Sequence, residues 1–575
     1  MVERAGSVLV VHGDITRCRA DAVVFSTSTA LRGDGQLWSS FAALPGFASW
    51  YAQLSTEKLV GECDWLAADG GRPAVVLVRT VGAGDRSPPE ERAGRVLTRA
   101  LEHACAQLGE DQPRLVLVPA LLIGSGGGNR QALAVAGQLV RAAAAFVSSR
   151  PRLDIAFVVF SPGNAALFRQ ARRVAGLAPG LELPAGAPPA DELLRALARR
   201  ELALFVGSGV SASSGMPSWD ALIRRLAELG GIPHAGPMPY NTKLAIAQYY
   251  RSRARLDPAL PSLASVIVEL FGGAHTPALT HYLLAQLEAP ILFTTNYDRL
   301  LESTFAALKR VWRSVTHAGD VPATSAAEVV QIVKLHGDAA PPEQWIDGDG
   351  YRDVILSKHD YDTFASSHTA FQLLLKGLML NHTFLFVGYS LADDNVRATW
   401  QDIVSAVAPA TDGTARHRTA FALGFSGGEA PVAGVAWLPN PGGDLAAKTR
   451  YQWRLLDALA EHVVAPQQLL AQSRDDGDAL AGLRDALCTV ADEVHELARA
   501  GQPLPAETTR ALTSIAALLG DFGWRGRPAE LWLGLANLAR DRPDEAAALL
   551  DMAHAVSDTE AEAALILDRR RQLRP

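Results

Sequence analysis

The sequence predicts an α/β protein with two sheet-bearing regions followed by an all-helical tail. Three observations predict it. Short, continuously apolar runs alternate with helical spacing through the first two regions, the pattern of parallel strands covered on both faces. A Pro- and Gly-rich stretch, "GLAPGLELPAGAPPADE" at 176–192, separates those regions as a linker. After about residue 446 strand signals stop, and Ala, Leu and Arg at helical spacing continue to Pro575.

In the first region, strands are expected at Val8–Val11, Ala22–Ser26, Ala74–Val81, Leu115–Val118 and Ile155–Phe160, with helices over Arg95–Leu108 and Gln131–Val147. The second region alternates in the same way. In the tail, "GRPAELWLGLANLARDRPDEAAALLDMAHAV" reads as two helices joined at Asp-Arg-Pro-Asp. It is similar to one tetratricopeptide hairpin, although such arrays need several units, so helical packing or oligomerisation is the expected role. The expected domains are therefore 1–178, 190–445 and 446–575.

Composition narrows the function. A chain of 575 residues is too long for one core. With 48% hydrophobic and 20% charged residues it is globular rather than disordered. Its formal net charge of −7 supplies no global attraction for nucleic acid or anionic lipid, so any phosphate must be held locally. The opening "MVERAGSVLVVHGD" is not expected to be a secretory signal. No stretch reaches the roughly 18 uninterrupted apolar residues of a membrane span. Four scattered cysteines, with no CxxC pair, argue against a zinc ribbon or disulfide framework and for a reducing cytoplasm.

The chemistry concentrates at four strand ends in the second region. Leu202–Val206 breaks at Gly207-Ser208-Gly209, where missing Cβ atoms let the backbone turn and approach a ligand. Ser218 then caps a helix whose apolar positions are Trp219, Leu222, Ile223, Leu226 and Leu229. Strand, glycine turn and helix together offer amide groups to a diphosphate, but no Lys-Ser/Thr pair makes this a P-loop. "LFTTNYDRLLE" (292–302) ends its strand on Asn296 and Asp298. Val329–Leu335 ends on His336 and Gly337, and Phe384–Val387 on Gly388-Tyr389-Ser390 before a helix at Asp394. Singly, each has a bland reading: Asp caps a helix, His sits satisfied in a core, Gly-x-Ser makes a turn. Together they predict one nucleotide site, because ligands of open α/β sheets bind beyond the strands' carboxyl ends.

In order and spacing, Gly207-Ser-Gly-Val-Ser211 with Ser214-Gly-Met-Pro217, Thr295-Asn296-Tyr-Asp298, Leu335-His336-Gly337 and Gly388-Tyr-Ser390 resemble the four NAD-binding motifs of the sirtuin superfamily. The resemblance implies a Rossmann-like parallel sheet with NAD as substrate. It places Gly207, Ser208, Gly209 and Ser211 along the diphosphate, Asn296 beside the nicotinamide ribose and His336 at the ribose hydroxyls. Gly388 and Ser390 would meet the adenosine side. Asp298 would hold the architecture or touch the nicotinamide amide. Protein-deacylating sirtuins carry a four-cysteine zinc module between the His-Gly and Gly-x-Ser motifs, whereas 337–387 contains no cysteine, so no metal is expected. Where those enzymes have Gly-Ile-Pro-x-Phe-Arg, this chain has Gly215-Met-Pro-Ser-Trp219-Asp220, and Asp cannot replace Arg. "FTTNYD" and "FVGYSLADDN" look like the divergent bacterial sirtuin-like effectors that hydrolyse NAD in antiphage defence. The expectation is an NAD glycohydrolase releasing nicotinamide and ADP-ribose, with Asn296 orienting ribose and water and His336 accepting a proton from a ribose hydroxyl or that water. ADP-ribosyl transfer, cyclisation or non-enzymatic nucleotide sensing are the alternatives. Lys334, Lys358 and Arg397 lie near these motifs and are expected to be solvated rather than to touch phosphate.

The first region, from "VVHGDITRCRADAVVFSTSTALRGDGQLWSSF", is similar to macro domains, α/β/α folds that bind ADP-ribose. The resemblance implies that Asp14 contacts adenine and that the glycine run Gly124–Gly128, notably Gly124 and Gly126, presents amides to phosphate. "RTVG" at 79–82 is a weaker match. Ser26-Thr-Ser-Thr29 stands where hydrolytic members have Asn-Ala-Ala-Asn, so binding rather than hydrolysis is implied. Paired domains of this kind suggest an effector regulated by an ADP-ribose-like ligand. Homo-oligomerisation, or a partner protein held by the C-terminal helices, could equally gate it.

Overall fold

The computed structural model describes residues 6–463, apart from most of 29–45, the stretches 124–131, 180–189, 321–328, 340–353, 407–419, 424–431 and 439–443, and some shorter pieces. Gly124 and Gly126, and all but the first helix of the expected helical tail, lie outside the described residues. The chain divides into two compact units, with boundaries at Ala178/Pro179 and Val463/Val464 and Arg17–Arg19 assigned to the second.

The first unit is built on six strands: β1 (Val8–His12), β2 (Ala22–Ser28), β3 (Cys63–Leu66), β4 (Ala74–Val81), β5 (Arg114–Val118) and β6 (Leu153–Val159). Their order is β1-β6-β5-β2-β4-β3, and every pairing is parallel except β3 with β4. Val10, Val24, Val76, Val116 and Phe157 form one face of the core with helices α1 (Pro89–Leu108), α2 (Ala132–Val147) and α3 (Pro162–Val174). On the other face Phe25 packs against Phe41 and Phe47, with ring centroids 4.3 and 5.7 Å away. Burial on both faces explains why these strands read as unbroken apolar runs. Helix α1 begins before the expected Arg95, because Pro89 fits the first helical position and Glu90 and Glu91 complement the helix dipole. Strand β3 gave no signal: it is a half-buried edge strand with Asp64 at its centre.

The second unit holds a wholly parallel sheet of seven strands. Along the chain come β7 (Leu202–Val206), α4 (Ser208–Ala212), α5 (Trp219–Leu229), α6 (Tyr240–Leu256), α7 (Leu263–Phe271), α8 (Leu279–Ala285), β8 (Ile291–Thr294) and α9 (Leu300–Ala307). They continue with β9 (Trp312–Val315), β10 (Val330–Lys334), α10 (Lys358–Ser367), α11 (Thr369–Asn381), β11 (Thr383–Val387), α12 (Asp394–Ala406), β12 (Ala420–Leu423), β13 (Val435–Leu438) and α13 (Leu445–Glu461). The sheet order is β13-β12-β11-β7-β8-β10-β9. Phe205, at the centre, stacks on Phe293 of one neighbour at 6.2 Å and packs on Phe386 of the other at 5.2 Å. Ser218 caps α5 through the Ala221 amide, as the sequence predicts. Helix α13, where the sequence reading begins the tail, is part of this unit; its Trp453 Nε1 donates to Thr280 Oγ1 at 2.9 Å.

Strand order fixes where a ligand can sit. From β7 the chain moves one way to β8 and β10, and later returns to lay β11 on the other side of β7. Such a reversal opens a crevice beyond the strands' carboxyl ends.

Candidate functional site

Register brings the four strand ends level. Val387 pairs with Val206, Val206 with Thr294, and Thr294 with Lys334, so one row crosses β11, β7, β8 and β10. The polar motifs begin just past that row. They line a cavity of about 380 Å³ that includes Ser208, Gly209, Ser211, Asn296, Asp298, His336, Gly388 and Ser390, within the usual size range of small-molecule sites. Asn296 and His336 therefore share one rim. Gly207 sits just behind, its carbonyl accepting from Asn296 Nδ2 at 3.1 Å.

The glycines at the first and fourth ends are there for close backbone approach. A Cβ on Gly207 would run into the Gly388 carbonyl and stand 2.7 Å from the Tyr389 Cα. Gly388 has φ +63°, and a Cβ there would come within 2.6 Å of the Val210 nitrogen. Gly209 donates its amide to the Gly388 carbonyl at 3.0 Å, and Val210 donates to the Gly207 carbonyl at 3.1 Å. The first bond ties the β7 end to the β11 end and the second closes the turn on itself, so neither of these two amides is open to a diphosphate.

Asn296 is fixed from three sides. Its backbone amide donates to Thr294 Oγ1 at 3.0 Å, and its Nδ2 donates to the Gly207 carbonyl and to Ser211 Oγ, each at 3.1 Å. A carbonyl only accepts, so the side-chain amide cannot be flipped. The atom left for a ligand is Oδ1. Ser211 in turn hydrogen-bonds Asp298. It is buried, so it serves to hold these two side chains rather than to lie open along a phosphate.

Asp298 also accepts the Leu300 amide at 3.2 Å, at the start of α9. The N-cap position itself is Arg299, without a side-chain cap, so Asp298 serves the first helical amide from just outside the helix while also lining the cavity. Burial pushes its carboxyl above the ordinary range, only partly countered by Lys334, the Ser211 hydrogen bond and the Leu300 amide. Lys334 was expected to be solvated, and it is not. It is fully buried and bonded to groups of the asparagine and histidine loops. Lys358 is exposed and paired with Asp362, as expected.

The opposite wall is aromatic. Tyr361 stands edge-on to His336 with centroids 5.4 Å apart, Tyr240 stands edge-on to Tyr361 at 6.2 Å, and Trp219 lies 5.2 Å from Tyr240. Lys243 sits over the Trp219 ring at 4.9 Å and pairs with Asp220. Trp219 therefore lines the cavity, whereas Asp220, half-exposed, pairs with Lys243 outside that lining. Tyr240, Phe271 and Tyr361 were not foreseen, because they come from helices rather than strand ends. The one local signal was the capping box of Ser357 and Asp360, which starts α10 and places Tyr361 on its first turn.

In the first unit, Asp14 is buried and its Oδ1 accepts from the Thr16 amide at 3.0 Å and Thr16 Oγ1 at 2.7 Å. Thr27 Oγ1 lies 3.0 Å from the Tyr51 hydroxyl. Among the described residues, no group of three or more His, Cys, Asp or Glu side chains could hold a metal ion, and no helix is long and apolar enough to cross a membrane.

Known proteins resemble these regions. Residues 290–428 match the SIR2-like domain family; the match takes in three of the four strand ends, with β7 and its glycine turn lying outside it. A protein named NAD(+) hydrolase ThsA from Acinetobacter baumannii is 28% identical over 207 residues, which is 36% of this chain and 40% of that protein. The protein of the same name from Bacillus cereus is 27% identical over 34% of this chain and 38% of its own length. The chain thus spans about two fifths of the length of these two relatives. Among solved structures, the Oceanobacillus iheyensis macrodomain with ADP is 17% identical, with a TM-score of 0.26, covering 30% of this chain and 94% of that one.

Proposed function

We propose that the second unit hydrolyses NAD at the nicotinamide–ribose bond, releasing nicotinamide, ADP-ribose and a proton, and that NAD depletion serves antiphage defence. The observation that carries this reading is the pairing in one cavity of Asn296, held by both amide hydrogens so that Oδ1 is left for a ligand, with His336. The matched relatives named as NAD(+) hydrolases point the same way.

The bond breaks with oxocarbenium character at the ribose, so positioning and charge stabilisation do most of the work. Asn296 Oδ1 accepts a hydrogen bond from a ribose hydroxyl or from the attacking water. His336 takes the proton that this hydroxyl or water gives up. The aromatic wall of Trp219, Tyr240 and Tyr361 excludes solvent and packs a flat ring. Ser208 and Ser390, both exposed at the rim, offer hydroxyls to the rest of the dinucleotide.

Purified protein incubated with NAD and followed by mass spectrometry tests the proposal. Equimolar nicotinamide and ADP-ribose are expected, and neither from Asn296→Ala or His336→Ala protein that remains folded. Cyclic or transferred ADP-ribose as the product would replace hydrolysis by the alternative chemistry at the same site. The regulatory half of the proposal assigns an ADP-ribose-like ligand to the first unit. Adding ADP-ribose should change the rate of NAD loss, and an unchanged rate would remove that half.

A further inference from the structure

A buried cation stands behind the cavity, and the reaction as described does not use it. Lys334, the last residue of β10, is fully buried. Its ammonium donates to the backbone carbonyls of Tyr297 at 3.2 Å and Asp298 at 2.6 Å, and to the carboxylates of Glu302 at 3.2 Å and Asp338 at 2.7 Å. Two of these acceptors belong to the loop that carries Asn296, and one to the loop that carries His336. The fourth, Glu302, lies on α9 and also accepts from Ser314 Oγ at 2.9 Å. Asp338 lies 3.5 Å from Arg299 Nε, a second tie between the loops. Their backbones meet twice besides, where the Leu335 amide donates to the Thr294 carbonyl and the Ala339 amide to the Tyr297 carbonyl, each at 2.9 Å.

We propose that Lys334 is a positioning residue: from behind the cavity it locks the asparagine loop and the histidine loop into one fixed geometry. Its kinetic consequence rests on the hydrolase reading; its structural consequence does not. Burial alone would drive the ammonium toward the neutral amine, but Glu302, Asp338 and Asp298 together outweigh it and hold the group above the ordinary lysine range. The surrounding acids thus favour the charged ammonium over the neutral amine. An ammonium suits the task because it is compact and directs its donors to acceptors on different elements. The planar guanidinium of arginine would match a carboxylate pair but not two successive carbonyls.

The test is Lys334→Arg, which keeps the charge and changes the geometry, with Lys334→Met/Glu302→Gln as a second variant that removes cation and one anion together. Hydrogen–deuterium exchange of the ligand-free protein reads the loops directly. Residues 294–299 and 335–339 should both exchange about tenfold faster in whichever variant folds, with β7 and β11 unchanged. Unaltered exchange in either loop overturns the proposal. In the kinetic arm, kcat for NAD cleavage should fall about 100-fold, the penalty of a small misplacement, with KM within about threefold. Combined with Asn296→Ala, the lysine change should add no further loss. Wild-type kcat in the variant, or full additivity with Asn296→Ala, overturns the proposal. Wild-type protein that leaves NAD intact counts against the hydrolase reading alone, and the exchange result still decides the role of the lysine.

Discussion

Asp14 and Asn296, each just past the end of a strand, are held in different ways. In the first unit Asp14 follows β1 and binds its own neighbour, Thr16, two residues on. In the second, Asn296 reaches across to the Gly207 carbonyl and to Ser211, residues that follow a different strand. Local pairing satisfies an acid and stabilises one turn. Lateral pairing ties separate strand ends into one surface and leaves a defined acceptor, Asn296 Oδ1, for a ligand. A strand-end polar residue thus becomes a site component through the partners it reaches on other strands.

The largest expected effect is at Asn296. Asn296→Ala should lower kcat for NAD cleavage at least about a thousandfold, measured by nicotinamide release, with the circular dichroism spectrum kept. Retention of more than a tenth of the activity would reduce the asparagine to the local role that Asp14 plays. Next comes the glycine contact that holds β7 and β11 ends together. Gly207→Ala forces a Cβ into the Gly388 backbone and should lower unfolding free energy by about 3 kcal/mol in a urea titration. A change below about 1 kcal/mol would mean the two ends separate easily.

A comparable effect should follow from pH at His281, buried in α8, whose imidazole burial pushes down to about 4 from an ordinary 6.5. The unfolded chain then binds a proton between those values while the folded one does not. Stability is full above pH 6.5 and falls by about 3 kcal/mol as the pH drops to 4, a slope that His281→Gln should flatten. Asp14→Ala should cost about 1 kcal/mol through the lost Thr16 bonds, read by the same titration, and should abolish any ADP-ribose binding measured by calorimetry. Smallest of all is Lys358→Ala. Its exposed pair with Asp362 should contribute less than about 0.5 kcal/mol and leave the KM for NAD unchanged. An effect matching that of Lys334 would erase the distinction between the surface lysine and the buried one.

Legibility in the sequence followed burial. The central strands announced themselves as continuous apolar runs because both faces of each sheet are covered, and the motif residues at their ends could be placed on one rim from that pattern alone. Edge strand β3 hid because half-buried residues carry no strong period. Tyr361 and Tyr240 were invisible for another reason. Helix-borne side chains reach the cavity by tertiary packing, which spacing does not encode. Lys334 was visible but misread: a lysine beside polar motifs is usually wet, and only the placement of Glu302, Asp338 and two carbonyls around it makes burial tolerable. Ser211 was assigned to phosphate by its motif, whereas the structure turns it toward Asn296 and Asp298.

The pairing of Val206 with Val387 bears on when, during synthesis, the cavity becomes complete. The central strand emerges early from the ribosome, yet its partner on one flank is translated much later, and contacts so distant in sequence form late. Until then Gly388, Tyr389 and Ser390 are missing from the lining. A chain that stops before β11 thus lacks that part of the cavity.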